Sequence, residues 1–156
     1  MVSAFENGEA NTAWRTDSLG LAHKHVAEMK FYAGMRHAPL FAPSVARTMR
    51  GMVVDVPLVA AAMPVPPSAD AIRDVLRAAY DPHVLVTVID AFDDAELTIE
   101  HAAGTDRLDL FVFANVDIAQ IRLVAALDNL GKGAGGACIQ SLNIIAGLDE
   151  TAGLRI

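Results

Sequence analysis

Apolar and polar residues alternate from Met52 to Val59. Met52, Val54, Val56 and Leu58 point one way, and Val53, Asp55 and Pro57 the other, the period of a strand with one strongly apolar face. Pro57 has no ladder N–H, so it places the strand at an edge or a bulge. Val84 to Ile89 is rich in β-branched residues and reads as a second strand. Leu108 to Phe113 is apolar on both sides except for Asp109 and is expected centrally in the sheet. Gln120 to Leu127 is the next strand. Helical spacing appears in His25 to Tyr32, where Val26, Met29 and Tyr32 fall at i, i+3 and i+6 and Gly34 marks the end. Ser68 is positioned to cap a helix through about Tyr80 with Ala71, Val75, Leu76 and Ala79 as its apolar face, and Asp81-Pro82 ends it. Pro39 to Pro43 reads as extended chain, Met63 to Pro67 as a stiff connector, and Asp90 to Thr105 as a loop. A final apolar helix follows Gly136.

This order predicts an α/β chain of the α+β type: a largely antiparallel or mixed sheet with helices on one face. Short connections between consecutive strands imply antiparallel pairs. The other sheet face carries too few charges to be left in water and is assigned to association. Residues 1–18, polar and mixed, read as an N-terminal arm, and 19–156 as one domain.

Composition sharpens the association reading. Hydrophobic residues make up 53% of the 156, and mean hydropathy is +0.35, an excess that points to a large buried interface. The net charge of −7 disfavours nucleic acid as a partner. No apolar run reaches the roughly 18 residues of a membrane span, and the start shows no basic region or apolar signal core, so a cytoplasmic protein without a membrane partner is expected. The single Cys138 suits a reducing compartment.

Three features could carry chemistry. In His23-Lys24-His25, with Glu28 three residues on, the two imidazoles share a face in a strand but not on a helix. A metal site needs further ligands that no His, Cys or Asp cluster supplies, and none is expected. The motif reads either as an acid–base histidine near a helix start or as a surface histidine beside a cap. Cys138 lies among Ala134, Ala137, Ile139 and Leu142 and reads as a small buried apolar residue. Gly131, Gly133 and Gly136 satisfy G-x-G-x-x-G after a strand. The 20 residues after Gly136 are too few for a second strand, a crossover and the acidic ribose ligand of a dinucleotide unit. The segment is therefore expected to be a terminal helix docking against something else. Its glycines either present free N–H groups to an anion, helped by Lys132, or permit close helix–sheet packing.

Gly20 to Met29, Ala38 to Val45, Gly51 to Leu58, Leu110 to Asn115 and Leu127 to Gly136, in that order, resemble the second half of N-acetyl-gamma-glutamyl-phosphate reductase, the shorter bacterial type. The resemblance implies a C-terminal domain like that of glyceraldehyde-3-phosphate dehydrogenase, used in oligomerisation, whose last helix packs on a Rossmann domain. It implies NADPH-dependent reduction of an acyl phosphate of N-acetylglutamate to the semialdehyde, in arginine biosynthesis, through a thiolate with an assisting histidine. That histidine falls in His23-Lys24-His25, with His25 favoured. Glu28 would orient substrate, and Asn129, Lys132 and Gly133 would lie beside the nicotinamide. No nucleophile motif of that family and no glycine-rich βαβ unit at the N-terminus is found, so NADP is expected only with a Rossmann partner and no cofactor for this chain alone. The expected partners are a second copy or a Rossmann-domain chain, with a small-molecule substrate. Two other readings stay open: a non-catalytic dimeric interaction protein, and a piece of a related reductase acting on aspartate or aminoadipate derivatives.

Overall fold

The computed structural model describes residues 12–156, so most of the arm expected over 1–18 lies outside the described residues. The chain forms two compact units, Met1–Met49 and Arg50–Ile156.

In the first unit, β1 (Trp14–Thr16) and β2 (Ser44–Ala46) pair antiparallel, with Trp14 opposite Ala46. Bonds from Asp17 N–H to the Pro43 carbonyl (2.8 Å) and from Arg47 N–H to the Ala13 carbonyl (2.9 Å) extend the ladder. Between the strands lies α1 (His25–Tyr32), with the bounds its spacing predicts. Val26 and Met29 are half-buried, while Phe31 and Tyr32 are exposed.

The second unit holds β3 (Met52–Val59), α2 (Ala69–Tyr80), β4 (Val86–Val88), β5 (Leu108–Asn115), β6 (Gln120–Leu127) and α3 (Gly136–Ala146). The four strands form one mixed sheet in the order β3-β6-β5-β4. The oxygen of Ser68 accepts from Ala71 N–H at 3.1 Å, giving α2 the predicted cap. β3 is an edge strand. Leu108 N–H donates to Leu85 and Ile89 N–H to Leu110, so even-numbered residues of β5 bond toward β4 and odd-numbered ones toward β6. Followed across the register, this turns the nitrogen of Pro57 outward, where no ladder bond is lost.

Two expectations are corrected. β4 and β5 run parallel, Val86 opposite Leu108. The segment between them, expected as a loop, is a crossover, and only a crossover returns the chain in the same direction. The face assigned to association is covered in part. α2 packs Ile72 and Leu76 over Leu58, Val112, Ile121 and Leu123 on one face. Ile89, Phe92 and Leu97, from the crossover, pack over Val53, Phe111, Val124 and Ala126 on the other. Apolar surface remains elsewhere. Val54 and Val56 on the α2-bearing face are 44% and 46% exposed. On α3, Leu142, Ile144 and Ile145 face out, with Ile145 at 82%. Among the described residues no helix is long and apolar enough to cross a membrane.

Candidate functional site

The predicted site residues fall into two groups, one in each unit. In the first unit His23, His25 and Glu28 come together at the start of α1. The backbone N–H of His25 donates to Nδ1 of His23 at 3.2 Å, and the two rings meet edge-on at 4.6 Å. Phe41, from the extended Pro39–Pro43 segment, packs its ring 5.1 Å from that of His23. Nε2 of His25 lies 3.8 Å from a carboxylate oxygen of Glu28, and both side chains are about half exposed (48% and 60%). The helical setting explains the geometry. His25 and Glu28 are three residues apart and share a face, while His23 precedes the first turn and bends back over it. An exposed imidazole with a carboxylate beside it can take or give a proton.

In the second unit Asn129, Lys132 and Gly133 lie on a turn built around Asp128. Gly133 N–H reaches the Asp128 carbonyl (2.8 Å) and Gly135 N–H the Leu130 carbonyl (3.1 Å). These bonds to i−5 make Gly131–Gly135 a π-type turn leading into α3. Asp128 is fully buried. Its carboxylate accepts from Leu130 N–H (2.8 Å), Gly131 N–H (3.2 Å), Gly104 N–H (2.7 Å) and Arg50 (2.8 Å). Burial, the largest single influence, would raise its pKa. The N–H groups of Gly104 and Leu130, the Arg50 guanidinium and Gly131 N–H outweigh it and hold the group at about 2. The side-chain oxygen of Asn129 accepts Gly51 N–H at 2.8 Å, tying the turn to the start of β3.

The packing role of the glycines is present. A Cβ on Gly131 would sit 2.1 Å from the Thr105 carbonyl oxygen, and one on Gly136 would sit 2.3 Å from Oδ1 of Asp106. Asp106, also buried, is bonded by Arg155 N–H at 2.9 Å. The N–H groups of Leu130, Gly131, Gly133 and Gly135 are engaged within the chain, so any anion at this turn meets side chains first. Lys132 is the cation on the turn itself, in addition to the Arg50 guanidinium that reaches Asp128. Its ammonium bonds the Gln140 side-chain oxygen, and Gln140 in turn donates to Glu150 at 2.6 Å. Burial pushes Lys132 below its usual range, while the charges of Glu150 and Asp106 pull the other way.

Cys138 is exposed, against the expectation of a buried thiol. The inward stripe of α3 is Gly136, Gln140 and Asn143, and the apolar residues face out. Among the described residues no group of three or more metal-ligating side chains occurs. A cavity of about 420 Å³ over Pro57, Phe113 and Arg122, and one of about 170 Å³ beside Arg73 and Phe92, include none of the six predicted residues. Pattern reasoning passed over Asp128, Asp106 and Phe41. An aspartate opening an Asp-Asn-Leu-Gly turn was the available signal, since such side chains bond their own backbone two residues on.

A half-open imidazole pair on one unit, and on the other a mixed sheet ending in a rigid glycine turn with an inside-out helix, define an α+β domain whose apolar surface suits another protein. Residues 2–129 match the family of semialdehyde dehydrogenase dimerisation domains, and the chain belongs to that family. N-acetyl-gamma-glutamyl-phosphate reductases of Brucella ovis, Brucella canis and Brucella suis are each 41% identical to it over 132 residues, 83% of this chain and 43% of theirs. The chain therefore spans less than half the length of these curated relatives. The family match takes in His23, His25, Glu28 and Asn129, while Lys132 and Gly133 lie beyond it.

Proposed function

We propose that this chain is the substrate-binding and dimerisation half of an N-acetyl-gamma-glutamyl-phosphate reductase, acting in arginine biosynthesis in the cytoplasm. The 41% identity to such reductases over 132 residues carries the reading. Two further observations support it. The imidazole pair and its carboxylate sit together at a helix start, and α3 turns Leu142 and Ile145 outward while Gln140 and Asn143 face in. That inversion suits a helix covered by a nucleotide-binding half, in the same polypeptide or a partner chain. Val54 and Val56 suit contact with a second copy.

In this reading the nucleotide-binding half supplies the thiolate that captures the acyl phosphate. NADPH, when bound, supplies the hydride. His25 exchanges a proton with the oxygen of the reacting carbonyl, and Glu28 holds the imidazole and orients substrate. The residues at the turn fit a dinucleotide's edge by their chemistry. Lys132 offers a cation, Asn129 an amide, and the exposed backbone at Gly133 has no side chain to obstruct close approach.

The test is reconstitution with a Rossmann-domain partner carrying the nucleophilic cysteine. Phosphate-dependent oxidation of the semialdehyde, followed as NADPH formation, is expected to appear only with both halves present. His25→Ala should lower it by about 100-fold or more. Unchanged turnover in that variant would remove His25 from its role. A chain that dimerises but never supports turnover would instead favour a non-catalytic interaction protein.

A further inference from the structure

We infer that His23 is a positioning residue: a neutral imidazole whose Nδ1 caps α1 and thereby fixes His25 against Glu28. The inference rests on the reading of His25 as the proton-transfer group, and it divides between two histidines what the sequence leaves shared. Helix α1 has no serine, threonine, aspartate or asparagine before its first turn. Lys24 already has helical dihedrals and supplies no side-chain cap. The missing acceptor is found one residue earlier. The backbone N–H of His25 donates to Nδ1 of His23 at 3.2 Å, and Val26 N–H donates to the His23 carbonyl at 3.0 Å. A side chain that accepts from the N–H two residues on is the bonding pattern of an N-cap, here with an imidazole in the seat.

That seat dictates the state of the ring. An imidazole nitrogen accepts only when it carries no proton, so Nδ1 must be bare and the proton must sit on Nε2. A doubly protonated His23 would lose the bond and place a positive charge at the positive end of the helix. The neighbours hold the ring in place. Phe41 packs at 5.1 Å from one side and the His25 ring at 4.6 Å from another. Among the described residues, Glu28 is the charged group in contact with the pair, Lys24 lies between the two in sequence, and Phe41 of the 39–43 segment packs on both rings. His25, fixed through its own backbone, is left with its Nε2 3.8 Å from Glu28. One histidine thus has its Nδ1 engaged by the helix backbone, and the other turns its Nε2 toward a carboxylate.

Nuclear magnetic resonance of the full chain with labelled histidines tests this directly. At about pH 8, where unperturbed imidazoles are neutral, the ring nitrogens of His23 should report a bare Nδ1 and a protonated Nε2. Hydrogen exchange at the His25 amide should quicken about fivefold in His23→Ala, the usual weight of a cap. His23→Asn, whose side-chain oxygen can occupy the same seat, should restore it. The His25 ring signals should move in His23→Ala and return in His23→Asn, a rescue that loss of bulk alone would not give. A proton on Nδ1 of His23, or His25 exchange indifferent to all three side chains, overturns the inference. Turnover in the reconstituted enzyme separates the two claims. Activity unaffected by His25→Ala would sink the role of His25 while the ring-nitrogen shifts still decide the cap.

Discussion

The glycine turn and the histidine helix start are held in opposite ways. At the turn, one carboxylate with no exposure takes bonds from three backbone N–H groups and a guanidinium. Two glycines there have backbone or carboxylate oxygens where a side chain would go. At the helix start, the two histidine rings make one backbone-to-ring bond and one 3.8 Å ion pair, both exposed to water. The difference teaches where rigidity and reactivity reside. A group fixed by many buried bonds keeps one charge state and shapes the backbone. A group with one partner and solvent on its other side can change charge during a reaction. By this measure Asp128 belongs to the architecture, and the half-exposed His25 suits the proton-transfer role proposed for it.

Substitutions should separate the two regions by their effect on stability. Gly136→Ala places a Cβ 2.3 Å from Asp106 and should cost about 3 kcal/mol or more, read by urea unfolding. Asp128→Asn weakens the bonds that Arg50, Gly104, Leu130 and Gly131 make to a buried carboxylate and should cost about 3 kcal/mol. The pH dependence gives a second reading of the same group. Its folded pKa, about 2, lies below the unfolded value of about 3.9. Its stabilisation is therefore fully present above about pH 4 and lost as the pH falls toward about 2, amounting to roughly 2 kcal/mol. The gap in stability between wild type and Asp128→Asn should narrow over that window, and a gap that stayed constant would contradict the assignment. Asn143→Ala removes two bonds, to the carbonyls of Glu150 (3.1 Å) and Ala152 (2.9 Å). It should cost about 1–2 kcal/mol and loosen residues 149–156 in hydrogen exchange. His25→Ala should come last, within about 0.5 kcal/mol of wild type, although it should have the largest effect on turnover. A large stability loss there would erase the distinction between the two regions.

The strands were legible wherever the pattern was long. β3 and β6 have the bounds that alternation and apolar content predict, because eight residues give four repeats of the period. α2 was legible from its cap and its apolar face. The three-residue strands β1 and β2 were not, since three residues carry no period and their pairing is set across 27 intervening residues. β4 shrank from six expected residues to three because its partner in β5 is shared only at Leu108, Asp109 and Leu110. The candidate site was legible as residue types. The sequence contained His23, His25 and Glu28, but only the backbone bond from His25 shows which imidazole is committed to the helix. Cys138 misled because its apolar neighbours on α3 face outward, and composition cannot distinguish an apolar stripe facing its own core from one turned to the outside.

Pro57 stands at the rim of the sheet with its nitrogen directed away from β6. A neighbouring chain that tried to zip along this border would find the hydrogen-bond row interrupted near its middle. Copies of this domain that meet along β3 would find one ladder donor missing at Pro57, which blunts this edge against continuing the sheet.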